Sequence, residues 1–199
     1  MTLDLTQASA SPHIEGGTEL AHVQRLADLH AIQQLGAAYP ILVDSQDLDG
    51  VLSLFTEDAT FLRAGSSHTG RHELQQFFAQ ILEHYSMTVH TVHQHVVDLA
   101  LGARTAVGVQ MGHGEVAVDR RRMLASYRYD DEYRWEDGRW LFAQRRLRYH
   151  YFSSHDDLGR SLSGRQRIRI PGSAPRDAEI PEELESYQAA RASVGEHSS

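Results

Sequence analysis

The chain has 199 residues and a formal net charge of −8, so it is long enough for one domain with a core, and its charge disfavours electrostatic binding of nucleic acid. It contains no cysteine, which excludes disulfides, thiolate nucleophiles and cysteine-ligated metal centres. No stretch approaches the ~20 apolar residues that span a bilayer, and the N-terminus lacks a secretory signal pattern, so the sequence predicts a cytoplasmic protein that does not enter a membrane.

The first half of the chain reads as a flexible arm followed by helices. Residues 1–17 mix Ser, Pro, Gly and Thr without an apolar period, which predicts a flexible N-terminal arm. From Thr18 to Asp44 apolar residues recur at three- and four-residue steps, which predicts a long amphipathic helix that Pro40 should bend. The next predicted elements are a short helix at 47–55, a brief strand at 59–62 and a third helix from 70 to about 85.

The second half changes to the period of a β-sheet. Val, Thr, Tyr and Phe alternate with polar residues, as in half-buried strands, over 88–101, 105–118, 123–135 and 140–152. Asp137-Gly138 is a hairpin signal between the last two segments. Helices followed by an antiparallel meander predict an α+β domain over residues 18–155.

The segment after this domain carries three prolines and predicts an extended C-terminal tail over 156–199, with a weak helix at 182–191. We expect the tail to lie partly against a neighbouring subunit. Trp135, Phe142 and Tyr151 are expected on the outer face of the sheet, where they exceed what a monomer usually exposes. The sequence therefore favours a homo-dimer or trimer.

Two polar residues stand in apolar surroundings and suggest chemistry. Asp44 follows Ile41-Leu42-Val43 at the end of the long helix, and His90 opens the β-rich half. A carboxylate that holds an imidazole is a simple general base that needs no cofactor. Asp44 is equally a candidate for a helix-terminal cap. Because Thr-Val-His occurs at both His90 and His93, a shift of register would exchange their roles.

Further histidines raise the question of a metal. His90 and His93 are three residues apart and should point to opposite faces of a strand, whereas His93 and His95 should share one. A catalytic metal needs a third ligand, such as His113 from the neighbouring strand. No carboxylate-histidine signature supports this arrangement, so we predict no metal and regard His113 as a cavity-lining or exposed residue.

Two other side chains are candidates for stabilising charge. Alternation along the last strand places Arg145 on the inner face with Leu141 and Leu147, away from Arg146 and Arg148. Tyr39 lies just over one helical turn before Asp44 and could offer its phenol to a carbonyl, or it could be an amphipathic core residue.

In this order of elements, five segments together resemble the SnoaL-like branch of the nuclear transport factor 2-like superfamily over residues 20–152. They are Ala31-Ile32-Gln33 to Asp44, Leu54 to Ala59, Gly70-Arg71, His90 to Gln94, and Tyr133 to Trp140. The resemblance implies a cone-shaped α+β barrel, in which a curved antiparallel sheet wraps around helices and encloses a deep apolar cavity. It also implies homo-dimers or trimers.

Within that superfamily the chain looks closest to dehydratase-like members, including scytalone dehydratase, bile acid dehydratases and hexachlorocyclohexane dehydrochlorinase. The resemblance implies a base formed by Asp44 and His90. The dehydrochlorinase's lysine falls on Tyr39 and its arginine on Arg145, and the tyrosine disfavours chloride elimination. The implied catalytic set is Asp44, His90, Tyr39 and Arg145, and the implied substrate-binding set is His113, His93, Tyr129 and Phe55.

The function implied is that of a lyase or dehydratase without a cofactor, acting on a small apolar substrate that resembles a polyketide, steroid or terpenoid. The alternatives are a polyketide cyclase or a ketosteroid-type isomerase that uses the same base, or a small-molecule-binding protein without catalysis. Fold alone does not choose among these functions, because one fold hosts many of them.

Overall fold

The α+β prediction is confirmed by a computed structural model that describes residues 18–196. The predicted arm at 1–17 lies outside the described residues. The helices are α1 (Glu19–Asp44), α2 (Leu48–Ser53), α3 (Gly70–His84), α4 (Leu158–Ser161) and α5 (Glu185–Glu196). The strands are β1 (Phe55–Arg63), β2 (Ser66–Thr69), β3 (Tyr85–Asp98), β4 (Thr105–Val118), β5 (Arg121–Glu136) and β6 (Arg139–Ser154). No helix in this part of the chain is long and apolar enough to cross a membrane.

Helix α1 is anchored at both ends by polar side chains. The Thr18 side chain accepts a hydrogen bond from the Ala21 N–H and caps the start of the helix. Helical spacing turns one face of α1 toward the sheet, and its buried residues include Ile32, Leu35, Tyr39 and Val43. The helix ends at Asp44, one residue beyond this buried face. The Asp44 side chain therefore lies on the concave side of the sheet.

The six strands form one sheet in the order β2-β1-β6-β5-β4-β3. Strands β3 to β6 are consecutive antiparallel neighbours, as predicted, because short turns join them. Strand β1 departs from the antiparallel prediction and runs parallel to β6. A long connection separates β1 from β6 in the chain, so no tight turn forces those two strands to be antiparallel.

The chain after β6 folds back onto the edge of its own sheet. Strand β1 pairs with β6 only as far as Leu147, which leaves the rest of that edge open. The Phe152 N–H donates to the Arg167 carbonyl, and the Arg169 N–H donates to the Phe152 carbonyl, at 2.9 and 2.7 Å. Between them Ile168 is 1% exposed and joins the hydrophobic core. These contacts cover an edge that would otherwise be free to pair with another chain.

The prediction of an extended tail over 156–199 is therefore corrected for its described part. That part contains α4, and it buries Ala178 and Ile180 against its own domain. The weak helix expected at 182–191 is present as α5. Backbone donors from the tail also reach the Tyr149 carbonyl. The cause is the open edge of β6, a long-range feature that the local composition of the segment does not show.

The expected outer aromatic surface is also corrected. Phe142 is 0% exposed and belongs to the core, while Trp135 and Tyr151 are half-buried. Register shifts in the β5–β6 pairing interrupt the simple alternation that placed Phe142 outside. The large apolar side chains that are most exposed lie on α1, namely Leu20 and Leu26 near its start and Ile41 near its end.

Helix α1 approaches the sheet closely at Gly36. A Cβ atom at this position would lie 2.7 Å from His95 Cε1 and 2.9 Å from Gln110 Nε2. The His95 ring is held by Tyr133, and the Gln110 amide is held by Arg145. The side chains facing Gly36 are therefore fixed by their own hydrogen bonds and cannot simply move aside.

We predict that Gly36→Ala lowers the free energy of unfolding by about 1 kcal/mol or more, because overpacking of about 1–3 kcal/mol exceeds the helix propensity gained. Gly159→Ala is the matched control, because a Cβ there meets nothing within 4 Å. Urea unfolding of both variants measures the difference. A Gly36→Ala protein as stable as Gly159→Ala would contradict the close packing.

Candidate active site

Asp44 and His90 form a hydrogen-bonded pair where the end of α1 meets β3. The Asp44 Oδ1 and His90 Nδ1 atoms are 2.6 Å apart. The backbone N–H of His90 donates to Asp44 Oδ2, and the Thr88 hydroxyl donates to Asp44 Oδ1, each at 2.8 Å. Thr88 and His90 reach the same carboxylate because alternate strand residues share a face. Three donors thus hold the carboxylate in one orientation.

The negative charge of Asp44 determines which ring nitrogen of His90 carries the proton. Burial raises the pKa of Asp44, but the hydrogen bonds from His90 and Thr88 outweigh burial and hold the pKa below its ordinary value of 3.8. An ionised carboxylate can only accept hydrogen bonds, so His90 Nδ1 must donate. In the neutral ring Nε2 then carries the lone pair, and it has no hydrogen-bond partner within residues 18–196. This geometry makes His90 Nε2 available as a base.

His90 is part of the wall of an apolar cavity between the helices and the concave face of the sheet, and Asp44 holds it from outside that wall. Most of the wall is aromatic or aliphatic. The lining residues are Tyr39, Val43, Phe61, Arg63, Phe77, Phe78, Ile81, Tyr85, Thr88, His90, Gly114, Val116, Ala125, Tyr127, Tyr129, Leu147, Tyr149 and Phe152. An apolar cavity with a few polar groups is the usual form of a small-molecule site.

Buried tyrosines supply the cavity with hydrogen-bond donors. Burial raises the pKa of Tyr39 and Tyr129 well above 10, although Arg145 acts in the opposite direction. Burial likewise raises the pKa of Tyr127, and it raises the pKa of Tyr149 to about 12. These phenols stay protonated at neutral pH. They can donate to an oxyanion or a leaving hydroxyl, and they cannot serve as bases there.

Arg145 faces inward, as predicted, but it does not line the cavity. Its guanidinium is 0% exposed and donates to Asp131 through Nε and Nη2, and to Gln110 through Nη2. It lies 4.3 Å from the centre of the Tyr39 ring and 3.9 Å from that of Tyr129. The predicted direct catalytic contact is corrected, because the rings and the Asp131 pair enclose the cation. Arg145 can act only by positioning those tyrosines.

A bulge decides which histidines face the cavity. The pairing of β3 with β4 shifts register between Val92 and His95, so His95 lies on the concave side next to Tyr133. His93 stays on the convex side, where its Nε2 lies 2.6 Å from His113 Nδ1. The expected shared face of His93 and His95 is therefore wrong.

The placement of His93 and His113 corrects their predicted role in substrate binding. Both side chains are exposed on the face of the sheet away from the cavity, and neither residue lines it. The register question is also answered, since Asp44 binds His90. In the described part of the chain no group of three or more His, Asp or Glu side chains is arranged to hold a metal ion.

The two aromatic candidates are placed differently. Tyr129 lines the cavity, as expected. Phe55 begins β1 rather than ending the second helix. It is 1% exposed in the core, and its ring lies at a tilt to that of Phe142 with the centroids 5.2 Å apart. Its predicted contact with substrate is therefore corrected to a packing role, because the Phe55 ring does not reach the cavity wall.

Several polar residues of the cavity escaped the sequence analysis. Thr88 precedes His90 by two residues, and Tyr127 precedes Tyr129 by two, so strand alternation alone could have placed them on the inner face. Arg63 ends β1 and binds Tyr149. No local pattern predicts that pairing, because the two residues are far apart in sequence.

Comparison with known families identifies the class of protein. The sequence model of the SnoaL-like domain matches residues 24–146, which is more than half of the chain. The chain therefore belongs to the SnoaL-like domain family, and the predicted SnoaL-like resemblance is confirmed. A search of curated proteins found no match.

Solved structures share the fold at low sequence identity. The type 2 hexachlorocyclohexane dehydrochlorinase LinA is 20% identical with a TM-score of 0.63, covering 76% of this chain and 99% of its own. A Novosphingobium aromaticivorans protein provisionally named a scytalone dehydratase is 18% identical with a TM-score of 0.63, covering 77% and 99%. Another, provisionally named an aromatic ring hydroxylase, is 28% identical with a TM-score of 0.61, covering 66% and 96%. The first two likenesses show the fold and no more.

We predict that Asp44→Asn lowers the free energy of unfolding by about 1 kcal/mol above pH 5, a figure discounted because the Asp44 side chain is 25% exposed. A lowered pKa in the folded state adds stability above the unfolded value of 3.8, and this stability is lost as pH falls through the folded pKa. The difference from wild type should therefore shrink below about pH 4.

Urea unfolding across a pH series measures this difference. Asp49→Asn is the control, because Asp49 is an exposed carboxylate on α2. A loss in Asp44→Asn that does not change with pH would contradict an ionised, hydrogen-bonded Asp44.

Proposed function

We propose that this protein is a lyase of the dehydratase type that needs no cofactor and acts on a small apolar substrate resembling a polyketide, steroid or terpenoid. The observation that carries the proposal is the 2.6 Å contact of Asp44 with His90, a residue that lines an apolar cavity. The dehydrochlorinase and the dehydratase-named protein with the same fold support this class.

The proposed reaction starts with proton transfer to His90. Its Nε2 removes a proton from a carbon next to a carbonyl, and the electrons of the C–H bond move onto the carbonyl oxygen. Tyr39 or Tyr129 donates to that oxyanion. The electrons then return to form a carbon–carbon double bond as the C–O bond to a β-hydroxyl breaks. The proton held by His90 leaves with the hydroxyl as water, which restores the neutral base.

Asp44 orients the base and stabilises the imidazolium formed in the first step. General base catalysis supplies about 10²- to 10⁴-fold, so orientation of the substrate by the apolar walls must supply the rest. Arg145 affects the reaction only by positioning the tyrosine rings that it contacts.

A cyclase or isomerase is the second candidate, because the same base would form the same enolate. It differs in product, since no water leaves and the mass of the substrate is unchanged. A binding protein without catalysis would change neither the mass nor the structure of the bound molecule. Product analysis therefore separates all three functions.

We predict that wild-type protein, incubated with a library of β-hydroxy carbonyl compounds, converts at least one compound to a product lighter by one water. His90→Gln should lower the rate by about 10²- to 10⁴-fold with little change in melting temperature. His113→Gln is the matched control, because His113 lies on the other face of the sheet. Mass spectrometry gives the readout.

Three results would contradict the proposal: a product of unchanged mass, equal rates in the two variants, and loss of turnover on chelation that only added metal restores. The first would favour the cyclase or isomerase.

We also propose that the chain assembles as a homo-dimer or trimer. The exposed apolar residues Leu20, Val23 and Leu26 recur every three residues along the outer face of α1, and a second copy would cover them. Light scattering at micromolar concentration should give a multiple of the chain mass, which Leu26→Glu should lower. A monomer mass for the wild type would contradict this assembly.

A further inference from the structure

One arginine, Arg63, lines the cavity and has no part in the proposed reaction. Arg63 is the last residue of β1, two positions after the buried Phe61, so its side chain shares the concave face. Among the cavity-lining residues, Arg63 is the only Arg or Lys, and none is Asp or Glu. The lining therefore carries one fixed positive charge, while the Asp44 carboxylate lies outside the lining and is bonded to His90.

Arg63 has no carboxylate partner within residues 18–196. Its Nε donates to the Tyr149 hydroxyl at 3.0 Å, and its Nη2 donates to the Tyr85 hydroxyl at 2.9 Å. Arg145 differs in this respect, because it is paired with the Asp131 carboxylate. A half-buried guanidinium held only by neutral phenols retains its full charge to attract a ligand.

The two phenols extend the same site. Each phenol oxygen accepts from Arg63, so the hydroxyl hydrogens of Tyr85 and Tyr149 remain free to donate elsewhere. Arg63 Nη1 has no hydrogen bond to a described residue. One guanidinium N–H group and two phenol O–H groups thus form a cluster of donors with a single positive charge. Such a cluster matches one carboxylate better than a phosphate dianion.

We propose that Arg63, Tyr85 and Tyr149 form an anion subsite that binds the carboxylate of an otherwise apolar ligand. The identity of this ligand as the substrate rests on the proposed function. The substrate class then narrows to apolar β-hydroxy carbonyl compounds that also carry a carboxylate. The subsite holds the anionic end, while the apolar walls hold the remainder within the cavity that contains His90.

The test compares hydrocinnamate with its neutral primary amide by calorimetric titration at low salt. Wild type should bind the carboxylate about tenfold more tightly than the amide. Arg63→Gln should abolish this preference, and Arg63→Lys should keep part of it. Arg146→Gln removes an exposed arginine outside the cavity and should keep the full preference, which controls for net charge. Melting temperatures verify that each variant is folded.

Equal affinity of wild type for the two probes, or no binding of either, would overturn the subsite. Retention of the preference in Arg63→Gln would also overturn it. A normal preference together with failure of the His90 turnover test would leave the subsite standing and reject only the proposed reaction.

Discussion

Three hydrogen bonds to one carboxylate join the end of helix α1 to the sheet. Two residues of β3, Thr88 and His90, supply all three donors to Asp44. A shift of β3 by one residue would turn both side chains away from the carboxylate. The helix end, the strand register and the orientation of the imidazole are therefore fixed together, so the geometry of the base depends on the packing of the whole domain.

The two arginines on the concave side of the sheet, Arg145 and Arg63, have different surroundings. Arg145 is enclosed by aromatic rings and pairs with Asp131, so its charge is balanced inside the protein. It supports tyrosine rings that line the cavity. Arg63 has only phenol oxygens as partners, so its charge stays available to the cavity. Ion-pair partners distinguish the enclosed cation from the one that lines the cavity, and sequence position alone does not.

Local sequence patterns could predict the helices and most strands, because helical and strand periods indicate which side chains face inward. They marked Asp44 and His90 as candidates but did not separate His90 from His93, and the pairing of Asp44 with His90 came from the family resemblance. The local patterns failed where long-range pairing decides the outcome. The bulge after Val92 separates His93 from His95, and the parallel pairing of β1 with β6 brings Arg63 to Tyr149. The return of the chain to the edge of β6 at Ile168 is likewise invisible in its local composition.

The proposed chemistry depends on Asp44 holding His90 with its proton on Nδ1 and its lone pair on Nε2. Long-range nitrogen–proton correlation NMR of labelled protein at mildly alkaline pH reads the tautomer of each histidine directly. We expect the Nδ1–H tautomer for His90, identified by the signal lost in His90→Gln, and a change of that signal in Asp44→Asn. A dominant Nε2–H tautomer, or a signal unchanged by Asp44→Asn, would contradict this arrangement.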